Sequence, residues 1–136
     1  CHNTMKEIDK IAFIEIQEGK ILSTRSKGKT IYYIPGGKRE NGESDKQTLI
    51  REVLEELSIS IIPSTVAYIG TFSAQSDGEK EGIHVIMTCY KAKYFGDLKA
   101  NSEIDEIRWL NYKDLEIISE VDKKIFSFLH GKGVLE

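Results

Sequence analysis

The chain has 136 residues, of which 40% are hydrophobic and 30% charged, enough to bury the core of one compact domain. No apolar run reaches the roughly 20 residues that cross a bilayer, and a net charge of -3 with dispersed lysines argues against binding to a nucleic-acid duplex. Two cysteines cannot build a disulfide framework, and three widely separated histidines lack the ligand spacing of a zinc site.

The organisation of the chain predicts a single domain over residues 1–136, since no repeat, low-complexity tract or linker divides it. Residues 1–4 precede Met5, and we expect them to be a cloning remnant. The first residues lack the apolar stretch of a secretory signal, so we expect a protein of the reducing cytoplasm.

Three segments near the start are rich in apolar and β-branched residues, and turns separate them. These strand-like segments are residues 8–16, 21–24 and 30–34. The first two flank Glu18-Gly19, a turn pair that predicts a β-hairpin. Pro35-Gly36-Gly37 is expected to end the third strand and to let the backbone approach a ligand with no side chain intervening.

The next segment has the strongest helix signal in the chain. Ser44 and Gln47 match the capping-box pattern of a helix N-terminus. Asp45 places a negative charge in the first turn, where the helix dipole favours it. Apolar residues then recur at helical spacing, at Leu49, Ile50, Val53, Leu54 and Leu57. We therefore predict a helix between Ser44 and Ser58.

Past Pro63 the pattern returns to strands and closes with a helix. An acidic loop with Glu79 and Glu81 connects the first two of these strands. The strand-like segments are residues 66–74, 83–94 and 104–110, and the closing helix is predicted over residues 121–129. The order of strands, helix, strands and helix predicts a mixed α/β fold.

The central helix carries three glutamates, Glu52, Glu55 and Glu56, which at about 100° per residue we place opposite the apolar stripe. A solvated surface helix usually offsets a glutamate with a lysine or arginine four residues later. Here the residue four after Glu52 is Glu56, and only Arg51 supplies an opposite charge. A solvated acidic face is the alternative, but clustered like charges cost stability unless a cation sits among them. Carboxylate oxygens suit Mg²⁺ or Mn²⁺.

The spacing of residues 37–59 resembles the Nudix box, G-x5-E-x7-R-E-U-x-E-E-x-G-U, where U is apolar. The chain matches this pattern at Gly37, Glu43, Arg51, Glu52, Val53, Glu55, Glu56 and Ile59. It departs at Ser58, where the family has glycine to close the helix in a left-handed conformation. Serine in that conformation costs on the order of 1 kcal/mol, unless the helix ends through another turn. The resemblance implies an α/β/α sandwich with a mixed β-sheet.

The resemblance also implies roles for individual residues. The implied ligands of Mg²⁺ or Mn²⁺ are the Gly36 carbonyl and the carboxylates of Glu52, Glu55 and Glu56. Arg51 and Glu43 are expected to orient these glutamates by salt bridges. Lys38 and Arg25 are candidates to bind phosphate, and Gly37 is expected to border the substrate.

Hydrolysis of a diphosphate requires neutralised oxygens and an activated water, both of which magnesium can supply. A carboxylate must then take the proton. The resemblance implies that this base is a box glutamate or an acidic residue from a later loop. We favour Glu55 inside the box and Glu103 outside it, and the other candidates are Glu106, Glu79 and Glu81. A solvated strand edge explains Glu103 and Glu106 equally well.

The resemblance implies an enzyme of the MutT type, which converts a nucleoside triphosphate to a monophosphate and pyrophosphate. Two alternatives stay open: a hydrolase of nucleoside-diphosphate sugars or ADP-ribose, and a nucleotide-binding domain without turnover. We expect a small nucleotide as partner, no nucleic-acid duplex, no membrane, and a monomer or homodimer. The aromatic residues at strand positions are more often core than base-binding; they are Tyr32, Tyr33, Phe72, Tyr90 and Trp109.

Overall fold

The computed structural model describes residues 6–75 and 82–136, so the loop with Glu79 and Glu81 lies outside the described residues. The strands are β1 Lys6–Phe13, β2 Ile16–Gln17, β3 Lys20–Ser26, β4 Gly36–Lys38, β5 Ser60–Ile61, β6 Ala67–Gln75, β7 Ile83–Lys91, β8 Tyr94–Phe95 and β9 Ile104–Leu110. The helices are α1 Asp45–Leu57 and α2 Glu120–Gly131, with 3-10 turns at Pro63–Thr65 and Tyr112–Ile117. No helix among the described residues is long and apolar enough to cross a membrane.

The largest sheet has four strands in the order β4-β1-β7-β6. β1 and β7 run parallel, while β4 and β6 pair antiparallel with their neighbours. A second sheet, β2-β3-β9, is antiparallel, and β5 pairs with β8. The mixed sheet and the α/β fold class are as predicted.

Strand β1 has both of its faces covered, because successive side chains of a strand point to opposite sides. Ile11 and Phe13 are buried in the hydrophobic cluster on the side of α1. Ala12 and Ile14 are buried in the other cluster, which includes side chains of α2. Helix α1 packs on β1, β4 and β5, and α2 packs on β6 and β7. The layers therefore form the predicted α/β/α sandwich.

The hairpin predicted at Glu18-Gly19 is confirmed, but it joins β2 to β3 and not the whole of residues 8–16 to β3. Both turn residues have positive φ, 53° and 78°, as a two-residue hairpin turn requires. Strand β1 ends at Phe13, and the chain then changes sheets. Likewise, residues 83–94 divide into β7 and β8.

The predicted strand at residues 30–34 is wrong. Only two isolated bridges form there, from Tyr33 to Thr24 and from Tyr32 to Ile118. The next residue, Ile34, donates its N–H to the buried carboxylate of Asp122 in the first turn of α2, at 2.9 Å. Residues 32–34 therefore contact Ile118, β3 and α2 one after another, and they form no continuous pairing with a single strand. The regular pairing comes immediately afterwards, where the Gly-Gly pair predicted to end a strand instead forms β4.

Candidate active site

Helix α1 begins with a capping box and ends with a serine in the left-handed conformation. The Ser44 hydroxyl accepts from the Gln47 N–H at 3.2 Å, and the Gln47 side chain accepts from the Ser44 N–H at 2.9 Å, which confirms the capping box. At the other end Ser58 has φ 61° and ψ 29°, and its N–H donates to the Leu54 carbonyl at 3.1 Å. Serine thus adopts the left-handed conformation that favours glycine.

The acidic face of α1 does not lie opposite the apolar stripe, so that prediction is wrong. Val53 is fully buried, whereas Leu54 is 49% exposed and faces solvent. Counted at about 100° per residue from Val53, Glu52 lies about 100° away and Glu56 only about 60° away. Both glutamates are therefore partly buried beside the core, and only Glu55 is exposed.

The two partly buried glutamates meet the backbone of β4. The Gly36 N–H donates to Glu56 Oε1 at 3.2 Å. A Cβ on Gly37 would overlap the carboxylate of Glu52, and one on Gly36 would collide with the backbone of Ile11. Gly36 also has a φ of 149°, in the range that L side chains rarely adopt. Gly37 is therefore needed for the close approach of β4 to Glu52, and Gly36 for its close approach to β1.

Arg51 connects the acidic residues of this site. Its Nε and Nη2 donate to the two carboxylate oxygens of Glu43 at 2.7 and 2.9 Å, a bidentate pair. Its Nη1 donates to Glu52 at 2.7 Å and to Glu55 at 3.1 Å. Nη2 also donates to the Lys38 carbonyl at 3.0 Å, which links the end of β4 to the helix. One guanidinium thus hydrogen-bonds to three carboxylates and to β4, and a fourth carboxylate, that of Glu40, lies 3.7 Å from its Nε.

Glu43 is held as an anion. The hydrogen bond from Arg51, followed by the Glu40 N–H at 2.8 Å, lowers the pKa of Glu43 to about 2. The Thr48 hydroxyl donates to the same carboxylate at 3.0 Å. These contacts fix the position of Arg51, because its partner Glu43 is anchored from both sides.

Glu52 and Glu56, which lie against β4, have raised pKa values, in contrast to the lowered pKa of Glu43. Burial raises the pKa of Glu56 to about 8; the Gly36 N–H and Lys10 oppose the shift, while the charges of Glu52 and Glu103 add to it. Burial also raises the pKa of Glu52, against the attraction of Arg51. These carboxylates lack sufficient positive charge in the protein alone, so a cation bound between them would be stabilised.

The segment before β9 brings Glu103 to the same end of α1. The Lys99 N–H donates to the Leu57 carbonyl at 2.9 Å, and the Asn101 N–H donates to the Glu56 carbonyl at 3.0 Å. Both bonds occupy carbonyls that the last turn of a helix leaves without intrahelical partners. Glu103 is exposed, and its charge acts on Glu56.

Arg25 and Glu106 are directed elsewhere. Arg25 donates to Asp105 at 2.8 Å and lies 3.6 Å from Glu106, across the β3–β9 pair. The Tyr32 hydroxyl donates to Glu106. The structure therefore does not bring Arg25 to the glutamates of α1, and it gives Glu106 two partners away from them.

A cleft of about 360 Å³ lies beside the glutamates, within the range of small-ligand sites. Glu56, Gly36 and Gly37 line it together with three lysines, Lys10, Lys29 and Lys38. Of these lysines, Lys38 was predicted to bind phosphate, whereas Lys10 was not predicted to take part. The sequence feature that could have revealed Lys10 is the alternating pattern of β1, in which this charged residue shares a face with Ile8 and Ala12.

The donor set at this end of the cleft fits a hard divalent cation. Glu52, Glu56 and the Gly36 backbone offer oxygen atoms, the donors that Mg²⁺ prefers. Glu55 is 54% exposed and its carboxylate is turned to Arg51. As arranged, no three acidic, histidine or cysteine side chains of residues 6–75 and 82–136 converge tightly enough to hold an ion. Glu55 follows Glu52 by three residues, a spacing at which side chains on a helix are neighbours.

The chain is similar to known hydrolases over most of its length. A family model described as NUDIX domain matches residues 8–129. A protein of Bacillus subtilis (strain 168) named uncharacterized Nudix hydrolase YvcI is 29% identical over 126 residues, covering 87% of this chain and 77% of its own. The E. coli ORF135 protein has a TM-score of 0.70 and 27% identity, covering 93% of this chain and 91% of that one. A MutT protein from Methanosarcina mazei Go1 has the same fold, with a TM-score of 0.74, 21% identity and coverage of 94% and 96%.

Proposed function

Since this chain belongs to the Nudix hydrolase family, whose members act on phosphorus anhydrides, we propose that it converts a nucleoside triphosphate to a monophosphate and pyrophosphate with Mg²⁺. The observation that carries the proposal is the placement of Glu52 and Glu56 against Gly36 and Gly37, at one end of a cleft lined by lysines. A polyanionic substrate complements the lysines, and a cation complements the glutamates.

Glu52, Glu55, Glu56 and the Gly36 carbonyl are the residues that would hold Mg²⁺ or Mn²⁺. When bound, such a cation neutralises phosphoryl oxygens and makes a water molecule more acidic. Arg51 and Glu43 position the glutamates, as their hydrogen bonds imply. Lys38 and Gly37 border the phosphates, while Arg25 contributes less because Asp105 and Glu106 already engage it.

Glu103 is the residue that we assign as proton acceptor, in preference to Glu55. A general base needs a carboxylate that faces the reacting water and has a free lone pair. Glu55 already accepts from Arg51 at 3.1 Å and is needed as a third ligand. Glu103 lies near enough to act electrostatically on Glu56, and it is exposed.

The test is hydrolysis of a substrate panel with product analysis. Ribo- and deoxynucleoside triphosphates, ADP-ribose and a nucleoside-diphosphate sugar are assayed with Mg²⁺, with Mn²⁺ and with a chelator. We expect at least one triphosphate to give monophosphate and pyrophosphate. Glu52→Gln and Glu56→Gln should each lower kcat by more than the roughly 10- to 100-fold typical of residues that only orient a ligand. Glu103→Gln should lower it by roughly 100-fold or more.

Glu116→Gln is the matched control, because Glu116 is an exposed glutamate of the Tyr112–Ile117 turn that does not line the cleft. It should retain the wild-type rate. Activity that survives the chelator would contradict the metal mechanism. Cleavage of ADP-ribose or the sugar nucleotide with no triphosphate turnover would leave a Nudix hydrolase of a different substrate class.

A further inference from the structure

Lys10 is a half-buried cation on the floor of the cleft. It lies on β1 between Ile8 and Ala12. These two residues face the hydrophobic cluster that includes side chains of α2. Its neighbour on the parallel strand β7 is Met87, which is 4% exposed. The Lys10 Nζ lies 6.0 Å from the centre of the Tyr33 ring, a weak contact for a charge that is partly removed from water.

The charged residue that faces Lys10 across the β1–β4 pair is another lysine. The β1–β4 register sets Lys10 directly opposite Lys38, and like charges in that relation destabilise a sheet. Lys29 lines the same cleft, as do Glu56 and Glu120. Within residues 6–75 and 82–136, no carboxylate lies within ion-pair distance of Lys10, and Glu56 acts on it only at longer range. Among these residues Lys10 thus has no direct carboxylate partner, and its ammonium can pair with an anion from outside the protein.

The order of residues along β1 indicates which class of anion would bind to Lys10. Gly36 pairs with Ala12 and brings Glu56 to that end, Lys38 pairs with Lys10, and Ile8 follows beside Val85. At about 3.3 Å per residue, Lys10 lies about 7 Å along the strand from Ala12 and about 7 Å from Ile8. It stands between the carboxylates that would hold a cation and an apolar part of the cleft formed by Ile8, Val85 and Met87.

A nucleotide has the same order of properties along its length. Its terminal phosphates carry most of the charge, and its nucleoside carries the apolar surface. We propose that Lys10 binds the phosphoryl group next to the nucleoside, the group that remains in the monophosphate product. This inference rests on the proposed function, and it makes Lys10 a substrate-binding residue that holds the nucleotide in register between the two ends of the cleft.

Binding of the separate products tests this assignment without turnover. AMP, GMP, CMP, UMP and inorganic pyrophosphate are titrated calorimetrically into the protein in the presence of a chelator. Lys10→Met keeps the length and apolar stem of the side chain and removes the charge. We expect it to weaken the best-bound monophosphate at least about tenfold, since a charged hydrogen bond is lost, while pyrophosphate binding changes less than about twofold. Lys10→Arg should retain most of the monophosphate affinity.

Lys113→Met is the matched control, because Lys113 is an exposed lysine of the Tyr112–Ile117 turn outside the cleft, and it should bind both products like the wild type. Monophosphate affinity unchanged in Lys10→Met, an equal or larger loss of pyrophosphate affinity, or a wild type that binds no monophosphate at millimolar concentration would each overturn the assignment. A folded Lys10→Met protein should show a melting temperature near that of the wild type. The hydrolysis panel remains a separate test: triphosphate turnover with no Lys10 effect refutes this inference alone.

Discussion

At the scale of single residues, Arg51 joins more of the site than any one glutamate does. Its guanidinium makes a bidentate pair with Glu43 and single bonds to Glu52, Glu55 and the Lys38 carbonyl. A lysine offers one compact ammonium in place of a planar fork, so it cannot reproduce these contacts together. Arg51→Lys should therefore lower kcat roughly 10- to 100-fold and weaken Mg²⁺ binding, with a smaller change in KM. Steady-state kinetics at several Mg²⁺ concentrations measures both effects.

The matched control at this scale is Arg39→Lys. Arg39 also bridges two carboxylates, Asp9 and Asp45, but it contacts none of the glutamates assigned to the metal. Its replacement should leave kcat within about twofold of wild type, as expected for a partly exposed ion pair. Equal losses in the two variants would mean that Arg51 contributes only to the fold.

At the scale of elements, helix α1 combines a well-matched start with a strained end. The capping box at Ser44 and Gln47 satisfies the first turn, whereas Ser58 holds a left-handed conformation with φ 61°. Ser58→Gly should relieve that strain, partly offset by the greater freedom of glycine in the unfolded chain. We expect a net gain of a few tenths to about 1 kcal/mol in the free energy of unfolding, with kcat unchanged. Denaturant unfolding measures the gain.

Ser73→Gly is the matched control for the helix end. Ser73 is exposed on strand β6, and it is not among the positive-φ residues. Glycine there should cost about 0.5–1 kcal/mol, because it adds chain entropy without relieving strain. A loss of stability in Ser58→Gly of similar size would show that the left-handed serine is not strained.

At the scale of the whole molecule, the ionisation of the partly buried glutamates of the site changes the free energy of unfolding. Burial raises the pKa of Glu56 from 4.5 to about 8 in the folded protein, so this carboxyl stabilises the fold when protonated. That contribution is complete below the unfolded pKa and is lost as the pH rises through the folded one. Without metal, the free energy of unfolding should therefore fall by up to about 1.4 kcal/mol per pH unit between those values. Glu52, whose pKa is also raised, acts in the same direction.

Magnesium should reverse this loss, because it binds the ionised carboxylates of the folded state. A ligand at a hundredfold excess over its Kd adds about 2.7 kcal/mol, and the gain should grow as the pH rises toward 8. Glu56→Gln should flatten the pH dependence of the metal-free protein and blunt the magnesium response. Melting curves at fixed ionic strength, with and without Mg²⁺, measure both. Identical pH and magnesium responses in the two proteins would mean that Glu56 is an ordinary surface carboxylate.

The lowered pKa of Glu43 does not interfere with the measurement of how Glu52 and Glu56 affect stability. Its pKa is lowered to about 2, so its contribution is present above the unfolded value of 4.5 and is lost only as the pH falls further. Cys89 lies at the other extreme, with a pKa that burial raises to about 12 from 9.0. The range between about pH 5 and about pH 8 therefore isolates the glutamates beside β4 from both groups.

Local signals in the sequence were sufficient for the framework of the site. The capping box at Ser44, the spacing from Gly37 to Glu56 and the apolar stripe of α1 depend on residues close in the chain, so they predicted the helix and the resemblance to the Nudix box. The resemblance also implied that Arg51 and Glu43 orient the glutamates by salt bridges. Arg51 pairs with Glu52 at 2.7 Å and with Glu55 at 3.1 Å, whereas Glu43 pairs with Arg51 itself.

Only the tertiary structure decided which way these residues face and what they meet. Helical periodicity places Glu52 and Glu56 beside the apolar stripe, but only the packing of β4 on α1 brings them against Gly36 and Gly37. Arg25 is drawn to Asp105 by the β3–β9 register, and Lys10 enters the cleft through the pairing of β1 with β4 and β7. The physical reason is that a strand's side chains acquire their neighbours from strands distant in sequence, whereas a helix supplies its own.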